Sequence, residues 1–199
     1  MSQDWRALLI AAARRDLETR ARLAASGARL DGYHPEMEAV HRKNAAMLER
    51  VIDALGEWPV RSKFGDDGAG AAFLITQHAI GFPAFQRRAL AMLLEAAEAG
   101  EINPIDVAYL SDRIAVFEGR PQVFGTQFDW DEAGELSPAE VAEPERVDDR
   151  RASVGLGPLS DAVAEMRARA AAEGERPPAD LAKRRAAFED WARRVGWRA

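Results

Sequence analysis

The chain has 199 residues, long enough for one domain with a substantial core, and its 47% hydrophobic and 30% charged residues are globular proportions. Lys and Arg number 27 against 33 Asp and Glu, and this net charge of −6 argues against nucleic-acid binding by bulk charge, which needs a basic face. Cysteine is absent, which excludes disulfides, thiolate metal sites and cysteine nucleophiles together.

The apolar run at 7–13, flanked by Arg6 and by Arg14-Arg15, reads as a helix face and not as a leader. Seven residues is at the bottom of the range for a secretory core, and no small-residue cleavage pattern follows before Asp16 and Glu18. No segment approaches the roughly 18 to 20 apolar residues of a membrane span, so the expectation is a soluble, cytoplasmic protein without membrane contact.

Forty of the 199 residues are alanine, the best intrinsic helix former. A first helix is predicted from a Ser2 cap to about Ser26, with Trp5, Leu8, Leu9, Ala12, Leu17, Ala21 and Ala24 as its buried stripe and Gly27 as its stop. Pro35 suits the first turn of a second helix, which runs to Leu55 on Met37, Val40, Met47, Leu48, Val51, Ile52 and Leu55 before Gly56. Breakers at Trp58-Pro59 and at Gly65-Asp66-Asp67-Gly68 predict a loop, followed by a third helix from Ala69 to Ile80. A fourth spans Pro83 to Ala99, with Gly100 just past its end, and a fifth begins at Asn103-Pro104 and stops at Gly119.

The β-branched and aromatic segment 123–130, a turn at 131–134 and a second strand at 135–141 predict one small hairpin. Two more helices are expected at about 159–173 and 178–195, the last on Leu181, Phe188, Trp191 and Val195. The sequence therefore reads as mainly α: about seven helices in one bundle-like domain, with a helical core at 1–119, the hairpin at 120–145 and C-terminal helices at 146–199. Net charge is −2 over residues 1–128, −7 over 129–150 and +3 over 151–199. The acidic hairpin and the basic tail either attract each other or present a solvated face.

No GxGxxG, no GK[ST] phosphate loop, no GxSxG elbow and no HExxH is present, so chemistry must be sought in polar residues on buried faces. His41 and Asn44 interrupt the apolar stripe of the second helix, either as a satisfied core pair or as part of a site. His78, beside Gln77 at the end of the third helix, could serve as general acid or base or as a metal ligand, or simply as a cation at a helix C-terminus. Asp112 and Arg113, followed by Gln122, Thr126 and Gln127 among glycines, offer directional donors and acceptors that could clamp a ligand, or an exposed ion pair on a helix.

His41-Arg42-Lys43-Asn44, Gln77-His78-Ala79, Asp112-Arg113-Ile114 and Gly119-Arg120-Pro121-Gln122 followed by Phe124-Gly125-Thr126-Gln127 resemble an uncharacterised bacterial family, a domain of unknown function marked by a GxxQxYGTQ-type segment. The resemblance covers residues 35–160 and includes Val147-Asp148 and Arg150-Arg151. Phe124 stands where that segment has tyrosine. The resemblance brings no activity with it, but it implies that His78, Asp112, Gln122 and Gln127 form one constellation.

Three functions compete. In the first, His78 is acid or base, Asp112 orients it, and His41, Asn44, Arg113, Gln122, Thr126 and Gln127 bind a small polar or anionic ligand for hydrolysis or another proton transfer. The second is a non-catalytic binding or protein-interaction module. The third is a metal-dependent hydrolase on His41, His78 and Asp112, with His34 as a possible further ligand. The first assigns no metal ligand. Cofactor, substrate and oligomeric state are left open.

Overall fold

The computed structural model describes residues 4–26 and 33–199, and in them the protein is mainly α, with eight α-helices and a two-stranded hairpin. Ser2 and Gly27, the expected cap and stop of the first helix, lie outside the described residues. The chain divides into two compact units, residues 1–103 and 104–199.

The first unit holds α1 (Trp5–Ala25), α2 (Pro35–Leu55), α3 (Arg61–His78) and α4 (Pro83–Glu98). Asp4 caps α1 by accepting from the Ala7 N–H at 3.0 Å. Helix α2 has its expected bounds, because Pro35 fits the first turn and Gly56, at φ 72°, closes the last. Helix α3 packs against α1, α2 and α4, and Leu9, Ala12, Leu48, Val51, Ala72, Ile75, Ala89 and Leu93 are buried among them.

The loop predicted across 65–68 is instead helical, and α3 starts at Arg61, not Ala69. Gly65 adopts φ 68° and ψ 171°, a turn open to glycine that joins two helical stretches. Arg6 stabilises the junction by donating to the Phe64 carbonyl at 3.0 Å and to Asp67 at 3.0 and 2.5 Å. A carbonyl deprived of its helical donor thus regains a partner.

The second unit holds α5 (Pro104–Phe117), β1 (Phe128–Trp130), β2 (Leu136–Pro138), a single 3-10 turn at Pro144–Arg146, α6 (Val147–Ser153), α7 (Leu159–Glu173) and α8 (Leu181–Val195). The strands are antiparallel, Asp129 facing Ser137, and shorter than the predicted 123–141. Asp131 shapes their turn by accepting from the N–H groups of Ala133 and Glu135 at 2.9 Å each and from the Ser137 hydroxyl at 2.8 Å. Helix α6, unforeseen in sequence, is seven residues of Val-Asp-Asp-Arg-Arg-Ala-Ser, too short and polar to show a period.

Acidic hairpin and basic C-terminal helix do meet. Arg184 pairs with Asp129 and Arg185 with Glu132, while Arg167 of α7 pairs with Glu135. Exposed pairs of this kind are screened by water, so they orient more than they stabilise. The tighter attachment is apolar: Phe117 at the end of α5 contacts Phe188, Trp191 and Trp197, with ring centroids 5.2 to 5.8 Å apart. Arg198 completes it by donating to the Val116 and Phe117 carbonyls at 2.8 Å each.

Candidate active site

On α1 the residues that face inward are Leu9, Ala12, Ala13, Asp16 and Leu23. Asp16 lies seven residues past Leu9, nearly two turns, and so falls on the buried side. A carboxylate there is 0% exposed and must find partners in the first unit's core. It finds two imidazoles: His78 Nδ1 lies 2.9 Å from Asp16 Oδ1, and His41 Nε2 lies 3.2 Å from Asp16 Oδ2.

The carboxylate beside His78 is therefore Asp16, a residue not singled out in sequence, in the place expected of Asp112. Burial alone pushes the Asp16 carboxyl up, but the contacts and charge of His41 and His78 outweigh it and hold the group well below the usual carboxylate range. An ionised Asp16 only accepts, so His78 Nδ1 donates the proton between them, and in the neutral imidazole it is Nε2 that carries the lone pair. His41 is buried, whereas the His78 side chain is 24% exposed. The two rings lie 5.4 Å apart between centroids.

The other nitrogen of His41 is held as well. Tyr33 Oη lies 2.9 Å from His41 Nδ1, and the rings stack at 5.5 Å. Burial first, then the negative charges of Glu38 and Asp16, raise the Tyr33 phenol above its ordinary range, so it stays protonated. Gly81 makes room for it, since a Cβ at this position would sit 3.0 Å from the Tyr33 ring.

His78 is the last residue of α3, and a side chain of α4 fixes that end. Gln86, fully buried, donates through Nε2 to the Thr76 carbonyl at 2.6 Å and to the Gln77 carbonyl at 3.4 Å. Asn44 is also buried, but it bonds the Ala12 carbonyl at 3.2 Å and not His41. It ties α2 to α1 one turn from Asp16. His34 caps α2 by accepting from the Glu36 N–H at 3.2 Å. A separate cleft of about 310 Å³ in this unit is lined by Trp58, Met92 and Glu95 among others, and by none of Asp16, His41 and His78.

The remaining expected site residues form a second network, inside the second unit. Asp112 on α5 is fully buried, and its two oxygens accept from the N–H groups of Val123 (2.8 Å), Phe124 (3.1 Å) and Thr126 (3.0 Å) and from the Thr126 hydroxyl (3.0 Å). Gln122 donates to the Gln127 and Ala139 carbonyls at 2.9 Å and accepts from the Gln127 N–H at 2.9 Å. Gln127 accepts from Arg113 at 3.2 Å and donates to the Thr126 hydroxyl at 3.0 Å. Asp112, Gln122, Thr126 and Gln127 thus come together, bonded mainly to one another and to the backbone they shape. His41, Asn44 and His78 bond within the first unit.

Residues 5–174 match a family of proteins with no assigned activity. The chain belongs to DUF6624, a family of unknown function. The DUF6624 match takes in Asp16, His41, His78 and the Asp112 loop, and stops short of α8. No curated protein and no solved structure matches the chain significantly.

Proposed function

We propose that this protein is a hydrolase, or another proton-transfer enzyme, acting on a small polar or anionic substrate with His78 as its acid and base. The observation that supports this is the 2.9 Å contact from buried Asp16 to Nδ1 of a partly exposed His78. A carboxylate behind an imidazole fixes its tautomer and stabilises the imidazolium that forms when the far nitrogen takes a proton. In the proposed step His78 Nε2 removes a proton from water, the oxygen bonds the electrophilic carbon or phosphorus, and the imidazolium then protonates the departing group. Asp16 stays ionised throughout. His41, itself held by Tyr33, lies against the other oxygen of the carboxylate.

The test is His78→Ala, assayed on activated esters, amides and phosphate esters that release a chromophore. Loss of a general acid or base lowers turnover by about 10² to 10⁴-fold. Asp16 Oδ1 loses its donor in this variant, so the thermal midpoint is expected to fall by the equivalent of about 1 to 3 kcal/mol, and turnover is compared at a temperature where both proteins are folded. Turnover equal to that of the parent protein would exclude His78 from the chemistry.

A further inference from the structure

We infer that Asp16, His41 and His78 together bind one divalent transition-metal ion. This rests on the reading of the cluster as the reactive centre and adds its cofactor class. One ligand atom from each residue falls within 4.8 Å of the others. Two imidazoles and a carboxylate are a donor set suited to zinc, iron or manganese, and three protein ligands with one open position are the pattern of catalytic sites.

A second, independent feature lies in the buried half of the cluster. Asp16 Oδ2 and His41 Nε2 face each other at 3.2 Å, both shielded from solvent, yet neither makes a hydrogen bond. Two ligands about 2.1 Å from a common ion in tetrahedral geometry stand about 3.4 Å apart, and each lone pair then points about 35° off the line that joins them. The observed pair has that separation and lacks hydrogen-bond direction. A metal-ligating histidine ordinarily donates its other ring N–H to an acceptor, and Tyr33 Oη is placed to be that acceptor for His41 Nδ1, which leaves Nε2 free to ligate. Taking in His78 asks each atom of the widest pair to move less than about an ångström, and it displaces the proton that His78 now donates to Asp16. The partial exposure of His78 leaves a side open for water, whose pKa such an ion lowers to about 7, so that water activation passes from the imidazole to the ion.

The experiment is equilibrium dialysis and calorimetric titration of chelator-stripped protein with Zn²⁺, followed by Co²⁺ and its visible absorption. One ion per chain is expected. Uptake should be lost in His41→Ala and His78→Ala and unchanged in His34→Ala, which removes the partly exposed histidine that caps α2. Tyr33→Phe keeps all three ligands and is expected to weaken binding by about 10 to 100-fold, with circular dichroism confirming that each variant is folded. No uptake by the folded parent protein, or equal uptake by His41→Ala and His78→Ala, would overturn the inference. Turnover that survives chelation would overturn the cofactor role and leave His78 as the base. A zinc-loaded protein that hydrolyses nothing would uphold the metal site and count against the hydrolase.

Discussion

Replacing Asp112 by Asn separates a loop-holding carboxylate from a catalytic one. Asn keeps a single acceptor oxygen and turns an NH₂ group toward donors that now bond an ionised oxygen. The Phe124 N–H lies 3.1 Å from both oxygens and can keep its partner, while either Val123 or Thr126, at 2.8 and 3.0 Å, must lose one. The Thr126 hydroxyl can rotate to accept, so one buried backbone donor is left without an acceptor, and the charge that strengthened the others is gone. At about 1 to 3 kcal/mol for the unsatisfied donor and about 1 kcal/mol for the lost charge assistance, the second unit is expected to lose about 2 to 4 kcal/mol. Urea titration followed by tryptophan fluorescence reads this loss, since Trp130, Trp191 and Trp197 all lie in that unit. Zinc uptake and the tautomer of His78, set by groups of the first unit, are expected to be unchanged in the folded variant. A variant within about 0.5 kcal/mol of the parent whose turnover or zinc uptake is abolished would refute this reasoning and return Asp112 to the chemistry.

Asp16 sets the acid limit of the first unit. Its folded pKa lies below the unfolded value of about 3.9, so its contribution to stability is complete above that pH and is lost as pH falls toward the folded value. Denaturation across this range is expected to show a shallower acid loss in Asp16→Asn than in the parent. An identical acid limb in both would contradict the pairing. Gly125→Ala forces a side chain onto φ 66° with its Cβ 2.8 Å from a Leu159 methyl, and is expected to destabilise the second unit by about 1 to 3 kcal/mol in the same urea assay. Gln86→Ala removes the side-chain donor to the Thr76 carbonyl, which keeps the Ala79 N–H at 3.1 Å, and should lower the thermal midpoint by the equivalent of about 0.5 to 1.5 kcal/mol and broaden the His78 imidazole resonances; sharp, unshifted resonances would show that Gln86 does not fix the end of α3.

Helix α2 was legible to the residue because its ends carry local chemistry, Pro35 at the start and a left-handed Gly56 at the stop. Asp16 was not. The alanine-rich α1 admits more than one stripe, and a face through Leu8 and Leu17 looks apolar, yet both residues are exposed and the buried line runs through Asp16. The available signal was a charge seven residues from Leu9 and four from Ala12. Tyr33 stands just ahead of α2, where no period applies, so only folding brings it to His41. Asp112, Gln122, Thr126 and Gln127 were legible as a group but not in role, because an acceptor for backbone N–H groups 11 to 14 residues away is written in the path of the loop. Gly65 misled for a related reason: glycine breaks a helix unless a distant side chain, here Arg6, satisfies the carbonyl it frees.

The pairing of Asp16 with His78 can be measured without knowing a substrate. Long-range nitrogen–proton correlation spectra of chelator-treated protein at neutral pH report which imidazole nitrogen carries the proton. His78 is expected as the Nδ1–H tautomer, with that proton slow to exchange, and to lose both properties in Asp16→Leu, which keeps the branched shape and removes every acceptor. A His78 that carries its proton on Nε2, or whose spectrum is unchanged by Asp16→Leu in the folded variant, would contradict the site.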